Sequence, residues 1–314
     1  MAKICIFDHL GVHKTTKEME KWFAAHGHEV KWNMYYDMRE LETHIGWCDI
    51  AIFEWFEGMM ETCLKDGWGK KKPVYCRAMD IEIWANNAQG ADLTDLSGLA
   101  YTSKAYFEVL KENHDLSKYP KLKLAHIPLS IDMKEWTYKE RKKGFNVAVI
   151  GHFWGSKGEV LIPQFVRQLI DRTKNDKWKF YLQGHWRHDV WKWYLYYMKH
   201  IIKELGLEDN IILSEDRVGS IDNWLEDKNY LVTFSMKDAF SIIVGEAMAK
   251  GIKALPHNFQ GSKDIWGKYV WNSFDELTYR LAYEDYNSKE YYDFVSEHYS
   301  NDVIMPKWLN FMGI

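Results

Sequence analysis

The feature that most restricts what this chain can fold into is an alternation of short apolar runs and amphipathic stretches that starts twice. In the first half, Lys3–Phe7, Glu29–Tyr35, Asp49–Phe53, Pro73–Cys76, Leu99–Thr102 and Lys123–Ile127 read as strands. Runs this short, bounded by turn residues, fit strands buried in a sheet. Thr15 or Thr16 is placed to cap a helix reaching about His26, with Met19, Trp22 and Phe23 on one face and Gly27 to stop it. Another helix is expected over Ser103–Asn113. Tyr138–Gly144 is charged and reads as a solvated linker. The pattern then restarts, with strands at Asn146–Ile150, Lys179–Leu182, Asn210–Leu213 and Asn229–Phe234. Helices are expected at Val160–Arg172, Val190–Leu205, Phe240–Lys250, Phe274–Tyr283 and Asn287–Tyr299. Strands alternating with helices build parallel sheets covered by helices. The expected class is α/β: two Rossmann-like doubly wound parallel-sheet domains facing a central cleft, over residues 1–140 and 141–290, with a C-terminal segment 291–314.

Composition narrows the function classes. The chain has 314 residues, which suits two domains at roughly 100–200 residues each. Its net charge of −4 argues against a surface built for nonspecific duplex binding. The high aromatic content, with 16 Trp, fits core packing or stacking on sugars and bases. Cys5, Cys48, Cys63 and Cys76 form no CxxC pair, so neither zinc nor a redox motif is indicated; Cys5, Cys48 and Cys76, in or beside apolar runs, are expected to be buried free thiols in a reducing compartment. Met1-Ala2-Lys3-Ile4 enters a strand without the look of a secretory signal, and no run is long and apolar enough to span a bilayer. The expected location is cytoplasmic.

In doubly wound folds ligands bind beyond the carboxyl ends of the strands. Four segments occupy that position: Asp8–Lys14, Arg77–Glu82, Gly151–Gly158 and Ser235–Glu246. The last is the richest. Its strand ends near Phe234 and a helix is expected from Phe240, leaving the amides of Phe240, Ser241 and Ile242 without helical partners. Free amides and the positive end of the helix dipole bind phosphate. Glu246, one turn on, can reach ribose hydroxyls, and Asp238 lies in the loop before the helix. The same segment also reads as a capped helix with an acidic start.

Asp238, Phe240-Ser241 and Glu246-Ala247-Met248-Ala249-Lys250-Gly251 resemble the signature of the family-4 retaining glycosyltransferases, which have the GT-B fold. Val149-Ile150-Gly151-His152 with Lys157-Gly158 is similar to that family's donor loop. Gly27-His28-Glu29-Val30, Ile127-Pro128-Leu129-Ser130-Ile131-Asp132 and Gly206-Leu207 resemble further elements in the family's order. The resemblance implies a nucleotide-sugar donor carrying UDP or GDP, retention of anomeric configuration, and no cofactor or metal. It places Asp238, Lys157 and Glu246 in catalysis, and Gly151, His152, Lys157, Phe240, Ser241, Ile242 and Glu246 on the donor. Lys157 and the helix amides would take a cation's place at the diphosphate. Asp238 stands where the family has Glu, Ser241 where it often has Gly, His152 where it often has Arg, and Met79 where relatives carry a histidine. His185, His188 and Asp189 read as a solvated cap on a polar turn, not as a metal cluster.

The first domain would hold the acceptor, beside the turn of His9, Gly11 and His13 and the segment with Asp80 and Glu82. Those two carboxylates fit either an acceptor-orienting role or a helix-capping pair. The resemblance also implies that the leaving phosphate deprotonates the acceptor, that Asp216–Ser220 selects the base, and that a helix over Val303–Phe311 crosses back to the first domain. Two other functions stay open. Trp68–Lys72, Arg141–Lys143 and the aromatic–basic run Trp178–His200 suit an enzyme acting on modified bases of viral DNA. The departures at Asp238, Ser241, His152 and Met79 suit an inactive nucleotide-binding or interaction module.

Overall fold

The computed structural model describes residues 1–8, 13–34, 38–85, 87–88, 90–153, 155–186, 188–214 and 219–314; at 13, 34, 38, 186 and 188–192 it describes the backbone. The chain forms two compact units. One comprises Met1–Asp132 with His298–Ile314, the other Met133–Glu297.

The first unit holds six parallel strands: β1 (Lys3–Asp8), β2 (Glu29–Met34), β3 (Ile50–Glu54), β4 (Val74–Ala78), β5 (Gly98–Tyr101) and β6 (Lys123–His126). Their order is β2-β1-β3-β4-β5-β6. Ile4 pairs in register with Val30 on one side and Ile50 on the other. The central strands are apolar on both faces because both faces are covered: every residue of β3 and β4 is buried, whereas edge strand β6 is half-exposed. The first helix starts at His13, so Thr15 and Thr16 lie inside it instead of capping it. Thr16 is buried and donates its hydroxyl to Asp8 Oδ2 at 2.6 Å, a partner supplied by the sheet. Gly27 ends the turn at φ +88°, with the amides of Gly27 and His28 bonded back to Ala24 and Phe23.

The helix Asn301–Met312 belongs to this first unit. Trp308 is fully buried over the Arg77 guanidinium, and Phe311 meets Tyr75 edge-on. Gly98 is small for this reason: a Cβ there would lie 2.5 Å from the Phe311 ring. The chain leaves the unit beside the point where it returns, with Ile131 N–H bonded to Tyr299 O and Asn301 N–H to Ile131 O. All four cysteines are free and buried. Burial pushes the Cys48 thiol up to about 11, so it stays protonated at neutral pH.

The second unit holds five parallel strands: β7 (Asn146–Phe153), β8 (Lys179–Trp186), β9 (Ile211–Ser214), β10 (Tyr230–Val232) and β11 (Lys253–Leu255), in the order β11-β10-β7-β8-β9. Two differences from the sequence reading matter. β11 was not expected: three residues between Gly251 and Pro256 carry too little pattern to stand out. β7 and β8 run on through Phe153 and Trp186, because their last residues pair with each other. The compact units divide after Asp132, and in the charged stretch Tyr138–Gly144 the side chains of Tyr138, Lys139, Glu140, Lys142 and Lys143 are exposed. Within it the Arg141 side chain is buried, and its guanidinium donates to the carbonyls of Lys250, Glu226 and Lys228. A planar group with five donors can satisfy several carbonyls at once.

Candidate active site

Strand order reverses between β1 and β3 in the first sheet and between β7 and β10 in the second. Such a reversal opens a crevice at the carboxyl ends of the strands. In the second unit Lys157 follows β7 and Asp238 follows β10, and the crevice brings them together. Lys157 Nζ donates to Asp238 Oδ2 at 2.7 Å, with both side chains partly exposed. The two loops are fastened around this pair. Met236 N–H donates to Ser156 O at 2.9 Å. Gly158, at φ +63°, lies so close to Phe234 that a Cβ would come within 2.2 Å of its carbonyl oxygen. Glu159 is buried behind the loop and accepts from Gly155 N–H at 2.7 Å. Burial pushes its carboxyl above the usual range.

The helix after β10 covers Ile242–Ala249, later than expected at its start. The difference comes from Asp238, whose Oδ1 accepts from Ser241 N–H at 3.0 Å. Ser241 is thereby held in the left-handed region at φ +62° and ψ +65°, a conformation that favours glycine. The amide of Ser241 is thus committed to Asp238, and Ile242 opens the helix. Phe240 is fully buried against Trp266, whose indole donates to the Phe240 carbonyl at 2.9 Å. Its side chain anchors the turn in the core. Glu246 is buried on the helix.

Gly151, against which the Lys157 side chain packs, also lines a pocket of about 270 Å³ together with Ile150 and His152 of β7, Gln183, Gly184 and His185 of β8, and Ile221. Gly151 and His152 were expected in the site. The β8 residues and Ile221 were not, although a signal was present: Gly184-His185 repeats Gly151-His152 one strand over. His185 therefore lies in a strand and not on a polar turn. The side chains of His188 and Asp189, and the loop residues 216–218, lie outside the described residues. No group of three or more His, Cys, Asp or Glu side chains among the described residues is arranged to hold a metal.

In the first unit, Gly11 and His9 lie outside the described residues, as does the side chain of His13. Asp80 accepts from Ile81 N–H at 2.7 Å. Glu82 is almost fully buried, and Oε1 accepts the backbone N–H groups of Met79 and Phe56. Burial raises its carboxyl to about 7. Glu82 therefore ties the loop after β4 to the loop after β3 and is turned away from solvent. The crevice of this sheet holds a contact absent from the sequence reading. Trp55, just after β3, has φ +84° and donates its indole N–H to the buried Asp8 of β1 at 3.3 Å. A bulky residue in that region is rare and marks a conformation imposed by its surroundings.

Comparison with known proteins rests on structure alone. No family model matches the chain, and no curated protein matches it by sequence. A glycosyltransferase from Rickettsia africae ESF-5 superimposes with a TM-score of 0.75 at 12% identity, over 99% of this chain and 97% of that one. The HepE protein of Anabaena, solved with UDP and glucose, superimposes at 0.71 and 13% identity over 100% of both chains. The lipopolysaccharide outer core galactosyltransferase WaaB gives 0.72 at 12% identity over 99% of both. The fold is GT-B. TarM is larger, and the chain spans 55% of its length. Identities this low are a likeness of fold. Each unit is built on a parallel sheet, and among the described residues no helix is long and apolar enough to cross a membrane.

Proposed function

We propose that the chain is a glycosyltransferase that moves a sugar from a UDP- or GDP-linked donor to an acceptor hydroxyl of a glycan, a lipid-linked sugar or a small molecule. The observation that carries this reading is the Lys157–Asp238 pair at the β7/β10 reversal, with Lys157 packed against Gly151 of the pocket. In this reading the donor diphosphate lies between Lys157 and the first turn of the helix Ile242–Ala249. Lys157 exchanges part of its contact with Asp238 for the departing phosphate, a point charge placed where negative charge develops. The amides of that first turn add a second electropositive group. Glu246 holds the ribose hydroxyls. Lys157 and the amides then do the work a divalent cation would do, so transfer proceeds without metal.

The bond between the anomeric carbon and the phosphate oxygen breaks, and a bond to the acceptor oxygen forms on the same face. The leaving nucleoside diphosphate takes the acceptor proton. Asp238 lies beside the reacting centre and fixes Lys157. Acceptor recognition is assigned to the first unit around Asp80, with Glu82 shaping the loop that carries it.

Calorimetric titration with UDP, GDP, ADP, CDP and TDP in the absence of metal tests the donor site. One nucleotide should bind, and Glu246→Ala should abolish that binding. If none bound, with or without magnesium, the inactive-module reading would replace this one.

A nucleic-acid acceptor is favoured by one observation. On the helix His188–Glu204, Tyr194, Leu195, Met198 and Ile202 enter the core, but Trp193, Tyr196 and Tyr197 stay exposed alongside Lys199 and Lys203. Exposed aromatics among cations suit base stacking. Retardation of single-stranded DNA in a gel, lost in Trp193→Ala with Tyr196→Ala, would support that acceptor; no retardation at low salt would remove it.

A further inference from the structure

Strands β7 and β8 end in the same pattern, Gly151-His152-Phe153 and Gly184-His185-Trp186, and the two triplets are in register. The glycines permit this. A Cβ on Gly184 would lie 1.7 Å from the Gly151 carbonyl oxygen, so no other residue fits. One step further, the two imidazoles stand side by side with ring centroids 6.3 Å apart. Both are exposed and both line the pocket.

The remaining described lining is Ile150, Gly151, Gln183, Gly184 and Ile221, none of which ionises. Of the described lining, the two imidazoles are therefore the side chains able to take up a proton. The described charged groups on neighbouring elements have partners of their own or are buried. Lys157 packs across Gly151 and pairs with Asp238. Glu159 is buried and bonded to Gly155. Asp222, next to Ile221, pairs with the buried Lys250. Glu246 is buried on the helix Ile242–Ala249.

We propose that His152 and His185 together form a proton-dependent clamp for the donor diphosphate, so that donor binding takes up protons. The inference rests on the donor-site reading above. A phosphate held between two imidazoles favours their charged forms. By linkage, whatever raises the proton affinity of the bound state makes binding tighter as pH falls.

The test uses UDP-glucose and GDP-mannose, whose diphosphates are diesters with no proton to gain between pH 5.5 and 8.5. Calorimetry across that range should show affinity rising as pH falls, by a factor of about ten for each imidazole drawn into protonation. Titration at pH 7 in two buffers of different ionisation enthalpy should reveal proton uptake. His152→Gln and His185→Gln, both at exposed positions, should each remove part of the pH dependence, and the double variant should bind with flat affinity. Uridine should show no pH dependence. If a donor bound equally well at pH 5.5 and 8.5, or if the dependence survived in the double variant, the clamp would be refuted and the donor site would stand. If neither donor bound at any pH, the donor-site reading would fall and the clamp with it.

Discussion

Lys157 Nζ lies 2.7 Å from Asp238 Oδ2, and the same carboxylate accepts from Ser241 N–H through its other oxygen. One side chain thus joins the loop after β7 to the start of the helix after β10. These two tasks separate by substitution. Asp238→Asn keeps an acceptor for Ser241 and loses the ion pair, which is partly exposed, so stability should fall by less than about 1 kcal/mol. Asp238→Ala also loses the helix-start bond and should cost about 1 kcal/mol more. Urea denaturation of both variants measures the difference.

If Lys157 stabilises the departing phosphate, its charge matters more in the transition state than in the ground state. Lys157→Met should then lower kcat by a factor of about 10²–10³ with a smaller change in KM. Steady-state kinetics with the donor identified by calorimetry would decide this. A change confined to KM would make Lys157 a binding group only.

Gly158 is the tightest approach between the two loops. It needs both φ +63° and the absence of a Cβ, which would sit 2.2 Å from Phe234 O. Gly158→Ala must push the loops apart, and a loss of about 2–4 kcal/mol is expected. Gly219→Ala, where a Cβ meets nothing, is the matched control and should change stability by less than about 0.5 kcal/mol. Thermal unfolding of the two variants side by side reads the contrast.

Arg77 and Glu54 form a pair buried on all sides, with Nε and Nη2 of Arg77 on the carboxylate at 2.7–3.0 Å. Burial pushes the Glu54 carboxyl up and Arg77 pulls it back. Removing one partner strands the other charge, so Arg77→Met should cost about 3–5 kcal/mol. Arg77→Met with Glu54→Leu removes both charges and should recover most of that loss. Denaturant midpoints of the single and double variants form the test.

Glu82 should give the protein a distinctive pH response. Its carboxyl is raised by burial from 4.5 to about 7 in the folded state. Between those values the folded protein keeps a proton that the unfolded chain has lost. Stability from this group is therefore highest below about pH 4.5, falls as pH rises to about 7, and is flat above that; the full span is on the order of a few kcal/mol. Glu82→Gln keeps an acceptor for Met79 N–H and Phe56 N–H and should flatten that part of the curve. Denaturation midpoints at pH 5 and 7.5 for the two proteins give the difference directly.

Much of the architecture was legible in the residues because it is local. Runs such as Lys3–Phe7 and Asn146–Ile150 are apolar on both faces wherever they sit, and Gly27 must stop a helix because its neighbours cannot adopt φ +88° cheaply. The positions of Lys157, Asp238 and Glu246 followed from their places after strands or on a helix. Other features had no local mark. Thr16 reads as a cap until Asp8 arrives from the sheet, and Arg141 reads as solvated until the carbonyls of Glu226, Lys228 and Lys250 surround it. β11 is three residues long and exists because β10 pairs with it. The ion pair between Lys157 and Asp238, the clash that fixes Gly158, and the meeting of His152 with His185 all join segments distant in the chain. Strand and helix identity is a property of short stretches, so the sequence by itself determined the elements and the candidates. Sheet register and the reversal of strand order decided which candidates touch, because those depend on the packing of the whole unit and leave no periodic trace in any one segment.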